Sequence, residues 1–261
     1  MEDIMDISAT VDSVDLALCR SALYEALALG FRPSTRETVA RLASAEGAVA
    51  LADAAAVIDG GLAERARDLA APGGASDPEA LTASYRRLFG HTARSPVSPY
   101  ETEYGQDALF QQPQEMGDLG GFLKAFGLTL RAEAHERIDH VSCECEFLAF
   151  LCRKEAYALT RGDEAMAGET RRAGRLFLRD HLGRFGPAFA RRLTQEDAGG
   201  FYGALGGLCL AFLAAECARL RVPAGSEFLQ LRAVDLDDAP MACGTGQELL
   251  NIEGATDDDR A

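Results

Sequence analysis

Apolar residues along this 261-residue chain recur at the three- and four-residue spacing of helices, and the alternation that a half-buried strand needs is nearly absent. The pattern predicts an all-α fold. Leu16, Cys19, Leu23 and Leu27 share one stripe, Gly30 stands where a C-terminal cap belongs, and Pro33 blocks continuation. Ser34-Thr35-Arg36-Glu37 matches a capping box, in which hydroxyl and carboxylate satisfy orphan amides, and opens an Ala-rich helix ending near Gly60-Gly61. A short helix follows, then a loop at Ala71-Pro72-Gly73-Gly74. Asp77 and Pro78 provide an N-cap and a first-turn proline for a helix running to Gly90. Pro96 and Pro99 hold the next stretch extended, and further helices are expected over 116–126, 139–160, 163–182 and 195–221.

The 48% hydrophobic content suffices for one sizeable core. The organisation expected is a single-domain bundle of roughly ten helices over residues 13–234. A flexible segment, 1–12, precedes it and an acidic, mobile tail, 235–261, follows. That tail holds eight acidic residues against one arginine. A formal charge of -15 disfavours duplex nucleic acid and anionic membranes and favours a basic partner. The seven cysteines form an odd set without a disulfide framework, and no basic-then-apolar signal precedes residue 30, so a reducing cytoplasm is expected. Cys143 and Cys145 lie about 200° apart around a helix, which argues against a shared metal. No stretch reaches the ~20 apolar residues of a membrane span. The nearest, Phe201 to Ala215, is closed by Glu216 and Arg219 and reads as a buried helix. Gly199, Gly203 and Gly207 within and before it leave room for a neighbouring helix to approach closely.

Two segments stand apart from this helical background. Pro99-Tyr100-Glu101-Thr102-Glu103-Tyr104-Gly105 offers carboxylates that accept arginine forks and tyrosine faces on which guanidinium groups stack. Asp139-His140-Val141-Ser142-Cys143-Glu144 opens a helix whose stripe of His140, Glu144, Phe147 and Leu151 is polar above and apolar below. Candidate binding residues are therefore Tyr100, Glu101, Glu103, Tyr104, Asp139, His140, Glu144 and Phe147. The structural alternative has Asp139 as an N-cap, Glu144 as a partner of the helix dipole, and the tyrosines packed with their hydroxyls satisfied. An enzyme using Asp139, His140 and Glu144 as acid and base is disfavoured. The chain lacks a nucleophile elbow, phosphate loop, dinucleotide fingerprint and metal spacing.

The proline-flanked Tyr-Glu-x-x-Tyr segment followed by Asp-His-x-x-x-Glu-x-x-Phe-Leu resembles the TorD/DmsD/NarJ group of redox-enzyme maturation chaperones. Within it, Tyr100 to Gly105 is similar to the branch serving type II enzymes of the DMSO reductase family. The resemblance covers about residues 13–222. It implies a cytoplasmic chaperone without catalytic activity, dedicated to the catalytic subunit of one molybdoenzyme and to its twin-arginine leader. It also implies a client-binding region at Asp139 and His140 with Tyr100, Glu101 and Tyr104 close by. No cofactor is expected to be bound permanently, and transient contact with molybdopterin guanine dinucleotide or guanine nucleotide stays open, as does the choice between a monomer and a helix-exchanged dimer. Ile138 departs from the proline usual before the Asp-His pair. A nitrate-reductase-type assembly chaperone and an acidic helical scaffold without a leader role are the alternatives.

Overall fold

A computed structural model describes residues 2–70, 77–90, 95–105, 111–130 and 136–232 of the protein. Among them it contains ten α-helices and no strand beyond two isolated β-bridges. The helices are α1 (Glu2–Gly30), α2 (Arg36–Thr38), α3 (Ala45–Ile58), α4 (Gly60–Arg67), α5 (Pro78–Phe89), α6 (Gln111–Ala125), α7 (Val141–Thr160), α8 (Glu164–Asp180), α9 (Leu182–Glu196) and α10 (Phe201–Leu220). The loop expected at Ala71 to Gly74, Cys243 and the acidic tail lie outside the described residues.

The bundle is built on α1 and α7. Arg20 pairs with Glu155, Glu25 with Arg153 and Arg32 with Glu146, an order that requires the two helices to run antiparallel. Helix α10 is apolar on nearly every side and is accordingly enclosed. Its Phe212 meets Tyr24 of α1 edge-on at 4.7 Å. By length and composition α10 could cross a bilayer, and 61% of its most apolar window is buried inside this domain. One continuous apolar core runs from Leu23 to Val222. Ion pairs also hold its centre: Arg20 forks onto Glu216 with two 2.8 Å bonds and reaches Glu155 at 2.9 Å.

Local signals explain most element starts. Asp77 accepts from Glu79 N at 3.0 Å ahead of Pro78, as the sequence reading expects. The capping box differs from expectation by one residue: Thr35, with Thr38 as its reciprocal partner, caps α2, which passes into a π-turn at Val39–Ala43. Ser44 then caps α3, and Asp59 starts α4 at Gly60, so Gly60-Gly61 itself opens the short helix expected to follow.

Helix α9 is absent from the sequence-based helix set because Pro187 lies inside it. Proline has no amide hydrogen for the carbonyl four residues back, that of Gly183. The Gly225 amide supplies the missing donor at 2.8 Å. The defect in α9 thus fixes the chain that leaves α10. A Cβ on Gly225 would lie 1.9 Å from the Arg184 carbonyl oxygen, so only glycine permits this contact. Helix α10 approaches the α9 backbone at Gly206, where a Cβ would stand 2.7 Å from Ala190 O. Gly207 of the expected four-residue series faces Arg65 of α4 instead.

Candidate functional site

Two-sided pairing holds the Tyr100 to Gly105 segment in place. On one side Glu101 N donates to Asp139 O at 2.9 Å and Val141 N to Pro99 O at 2.8 Å, forming the Tyr100–His140 bridge. On the other, Gly105 N donates to Gln230 O and Arg232 N to Glu103 O, both at 2.9 Å, around the Tyr104–Leu231 bridge. A short 3-10 turn at Glu101–Glu103 reverses the chain between them, and Gly105 has φ +111°, a conformation that favours glycine. The motif therefore ties the start of α7 to the segment leaving α10 and sets Tyr100, Glu101, Glu103 and Tyr104 beside Asp139 and His140.

They lie at different depths. Glu101 is 0% exposed and accepts from Arg184 Nη2 at 2.7 Å, with His181 Nδ1 at 3.0 Å. Asp139, also 0% exposed, accepts from Thr102 Oγ1 at 2.7 Å and takes the fork of Arg137. Tyr104 is buried and donates to Ser98 O at 2.8 Å. The N-cap of α7 is His140 rather than Asp139: its Nδ1 accepts from Ser142 N at 3.1 Å, leaving the proton on Nε2 toward Glu136. Burial, reinforced by Arg32 and Arg137 and opposed by Glu136 and Asp139, lowers the His140 pKa, consistent with a neutral acceptor. Phe147 packs against Phe177 with ring centroids 4.7 Å apart. Tyr100 and Glu103 reach the surface.

Arginine recognition is thus fulfilled within the chain itself. Arg137 stacks on Tyr100 at 4.3 Å, and Arg184 occupies Glu101. A ligand arginine cannot reach Glu101 or Asp139 in this conformation, which corrects the expectation that these carboxylates face outward. Glu144 is the exception to internal pairing. It is enclosed at the top of α7, and neither carboxyl oxygen receives a hydrogen bond among the described residues. Burial, then the charges of Glu101 and Asp139, drive its pKa well above the ordinary value.

Beside this cluster opens a groove of about 500 Å3 between α1, α6 and α7. Leu119, Leu123 and Leu128 form one apolar wall, and Phe147 and Phe150 the other, and Glu144 and Cys143 also line the groove. The rim is ionic. Glu25 pairs with Arg153, Arg32 with Glu146 and Arg41 with Glu37. Helix α6 is held over the groove by Phe122, at 5.2 Å from Phe177, and by Phe126, at 5.6 Å from Phe147. Sequence reasoning expected an apolar surface on the Phe147 side of α7 but did not name the walls from α1 and α6, which come from distant segments. It missed Arg184 and His181 for the same reason, and it also passed over Arg137, although that residue lies only two positions before Asp139.

Among the described residues, a helical bundle with an ionic-rimmed apolar groove beside internally ion-paired clusters has the architecture of a binding protein. The chain belongs to the nitrate reductase delta subunit family, whose pattern its residues 45–191 match. It is 34% identical over 161 residues to the selenate reductase assembly chaperone protein of Thauera selenatis, covering 60% of this chain and 79% of that one. It is 30% identical to the perchlorate reductase assembly chaperone protein of Dechloromonas aromatica, covering 76% and 88%. Identity to the chaperone protein TorD of Vibrio cholerae (strain M66-2) is 33%, over 51% of this chain and 59% of that one. All three relatives are named as chaperones.

Proposed function

We propose that this protein is a dedicated cytoplasmic chaperone for the catalytic subunit of a DMSO reductase family molybdoenzyme, which it engages through the subunit's twin-arginine leader and holds until the molybdenum cofactor is inserted. The observation that carries this reading is the groove. A leader has a basic start followed by an apolar stretch. Leu119, Leu123, Leu128, Phe147 and Phe150 offer an apolar surface of the kind that receives a helical segment. Glu25, Glu37 and Glu146 on the rim, whose partners Arg153, Arg41 and Arg32 are exposed and would have to yield, and Glu103 on the neighbouring loop, place carboxylates at its edge. Asp139, His140, Glu101 and Tyr104 serve the site by fixing the loop and the helix mouth. Relatives named for selenate and perchlorate reductase support a reductase client.

The test is capture of the full-length protein from its native cytoplasm, alongside the groove variants Leu123→Glu and Phe150→Asp, both at half-buried positions. Recovery of an unprocessed molybdoenzyme catalytic subunit by the wild type, and its loss from variants that keep the wild-type thermal midpoint, is the expected result. Unchanged recovery by the variants overturns the groove as the binding surface. Absence of such a subunit from the wild-type capture overturns the chaperone reading in favour of a scaffold.

A further inference from the structure

Helix α8 presents a row of arginines that its neighbours do not neutralise. Arg172, Arg175 and Arg179 stand at i, i+3 and i+7, on one face over about 10 Å of helix. The end of α10 meets this face, because Arg175 Nε donates at 3.1 Å to the carbonyl of Leu220, the last residue of α10. That contact brings Arg219 and Arg221 alongside. Beneath them cations outnumber anions: the guanidiniums of Arg20, Arg171 and Arg219 share the two buried carboxylates of Glu155 and Glu216. At the surface Arg179 is satisfied by Asp180 at 2.6 Å, whereas Arg172, its side chain 72% exposed, meets Glu169 at 3.9 Å. Arg175 and Arg221 are exposed, and among the described residues neither is held by an ion pair. The dipole of α10 favours cations at its C-terminal end, which accounts for Arg175 and Arg219. It does not account for Arg172, in the middle of α8, or for Arg221, whose φ of +53° favours glycine.

In a chain of formal charge -15 this surface is a cationic island. It is spread along a helix face rather than closed around a point, so it fits an extended acidic chain better than a compact anion. The protein carries such a chain. Residues 235–261 hold eight carboxylates against one arginine, three of them consecutive at Asp257-Asp258-Asp259. They are joined to the bundle through Arg232, whose amide donates to Glu103 O at 2.9 Å. The 29 residues from 233 to 261 span about 95 Å when extended, several times the ~17 Å radius of gyration of a domain of this length. Tethering also raises the effective concentration of the acidic run at the arginines to roughly millimolar. We propose that the arginine surface of α8 and the end of α10 is a docking site for this chain's own acidic C-terminal segment, with Asp257-Asp258-Asp259 set against Arg172, Arg175 and Arg221. Exposed ion pairs are individually weak, so the docking is an equilibrium that salt or a competing polyanion displaces. It depends neither on the groove nor on a client.

The chain has two lysines, Lys124 and Lys154, so zero-length carbodiimide coupling of lysine to carboxylate reads out cleanly once lysines are placed on the arginine surface. In the full-length double variant Arg172→Lys with Arg175→Lys, both charges are kept and both positions are exposed. Mass spectrometry is expected to find the introduced lysines joined to Asp257, Asp258 or Asp259 of the same molecule about fivefold more often than Lys124 or Lys154. These links should vanish in ~0.5 M salt. Links no more frequent than those of the two native lysines overturn the docking. Links between an isotope-labelled and an unlabelled copy, in place of links within one copy, overturn it in favour of docking between copies. A second variant leaves the arginines intact. Full-length Asp257→Asn with Asp258→Asn and Asp259→Asn is expected to bind a decaglutamate peptide about fivefold more tightly than the wild type does, because the internal competitor is gone. Adding Arg175→Ser and Arg221→Ser should abolish that gain. Equal affinity of the wild type and the triple variant for decaglutamate, or a gain that survives loss of the arginines, overturns the proposal.

Discussion

Glu216 should give the domain a stability that disappears in acid, and the structure sets its size. The residue is 0% exposed in α10 and receives the Arg20 fork, Tyr24 OH at 3.1 Å and Arg219 Nε at 2.9 Å. Burial raises its pKa, but the arginines outweigh it and bring the carboxyl from 4.5 down to about 2. At ~1.36 kcal/mol per pH unit that difference corresponds to about 3 kcal/mol. Because the folded-state pKa is the lower one, the contribution is complete above pH 4.5 and is lost as pH falls toward 2. Glu216→Gln removes it and leaves Arg20 buried with Glu155 alone, for a cost of about 3–5 kcal/mol at pH 7. Urea unfolding of both proteins from pH 7 to pH 3 measures it, provided the m-values agree. The gap should be constant down to about pH 4.5 and narrow below. A gap under about 1 kcal/mol, or one that ignores pH, would refute the assignment of Glu216 as an arginine-held carboxylate. Arg20→Met with Glu216→Leu should recover most of the loss, since well-packed apolar replacements of buried pairs are often neutral.

Glu144 has the opposite sign. Its folded-state pKa is raised from 4.5, so the protein loses stability as pH rises above that value. Glu144→Gln should exceed the wild type at pH 7 by a margin that grows with pH at no more than ~1.4 kcal/mol per unit, and that closes below 4.5; a margin already present at pH 4 contradicts this. Gly225→Ala drives a Cβ against the Arg184 carbonyl. It should cost about 1–3 kcal/mol and accelerate hydrogen exchange over residues 222–232, and unchanged exchange there would rule out the docking role. In α6, Gly117, Gly120 and Gly121 have no atom within 4 Å of an added Cβ, so packing does not require glycine. Each alanine should slow exchange of α6 and add about 0.5–1 kcal/mol to its local stability; faster exchange would show that these glycines are needed for a contact.

Helix existence and type were legible in the sequence wherever local chemistry decides them. Asp77-Pro78 starts α5, and Gly30 and Pro33 mark the end of α1, because caps, prolines and apolar spacing act within a few residues. The family resemblance rests on contiguous motifs and was legible too. Helix α9 was not, because Pro187 is a stop signal locally and is tolerated only through the amide of Gly225, which lies far along the chain. The two motifs lie side by side in the fold, with Tyr100 paired to His140, but the exposure of their residues could not be read. Whether Glu101 meets a client or Arg184, and whether Asp139 faces water or Arg137, depends on which cation the fold delivers first. The sequence by itself determined an acidic all-α chain with arginine-binding chemistry at two segments. Only the tertiary structure decided that this chemistry is met internally, that Glu144 is left without a donor, and that a groove opens beside it. Burial and pairing are properties of elements far apart in the chain, and no local pattern encodes them.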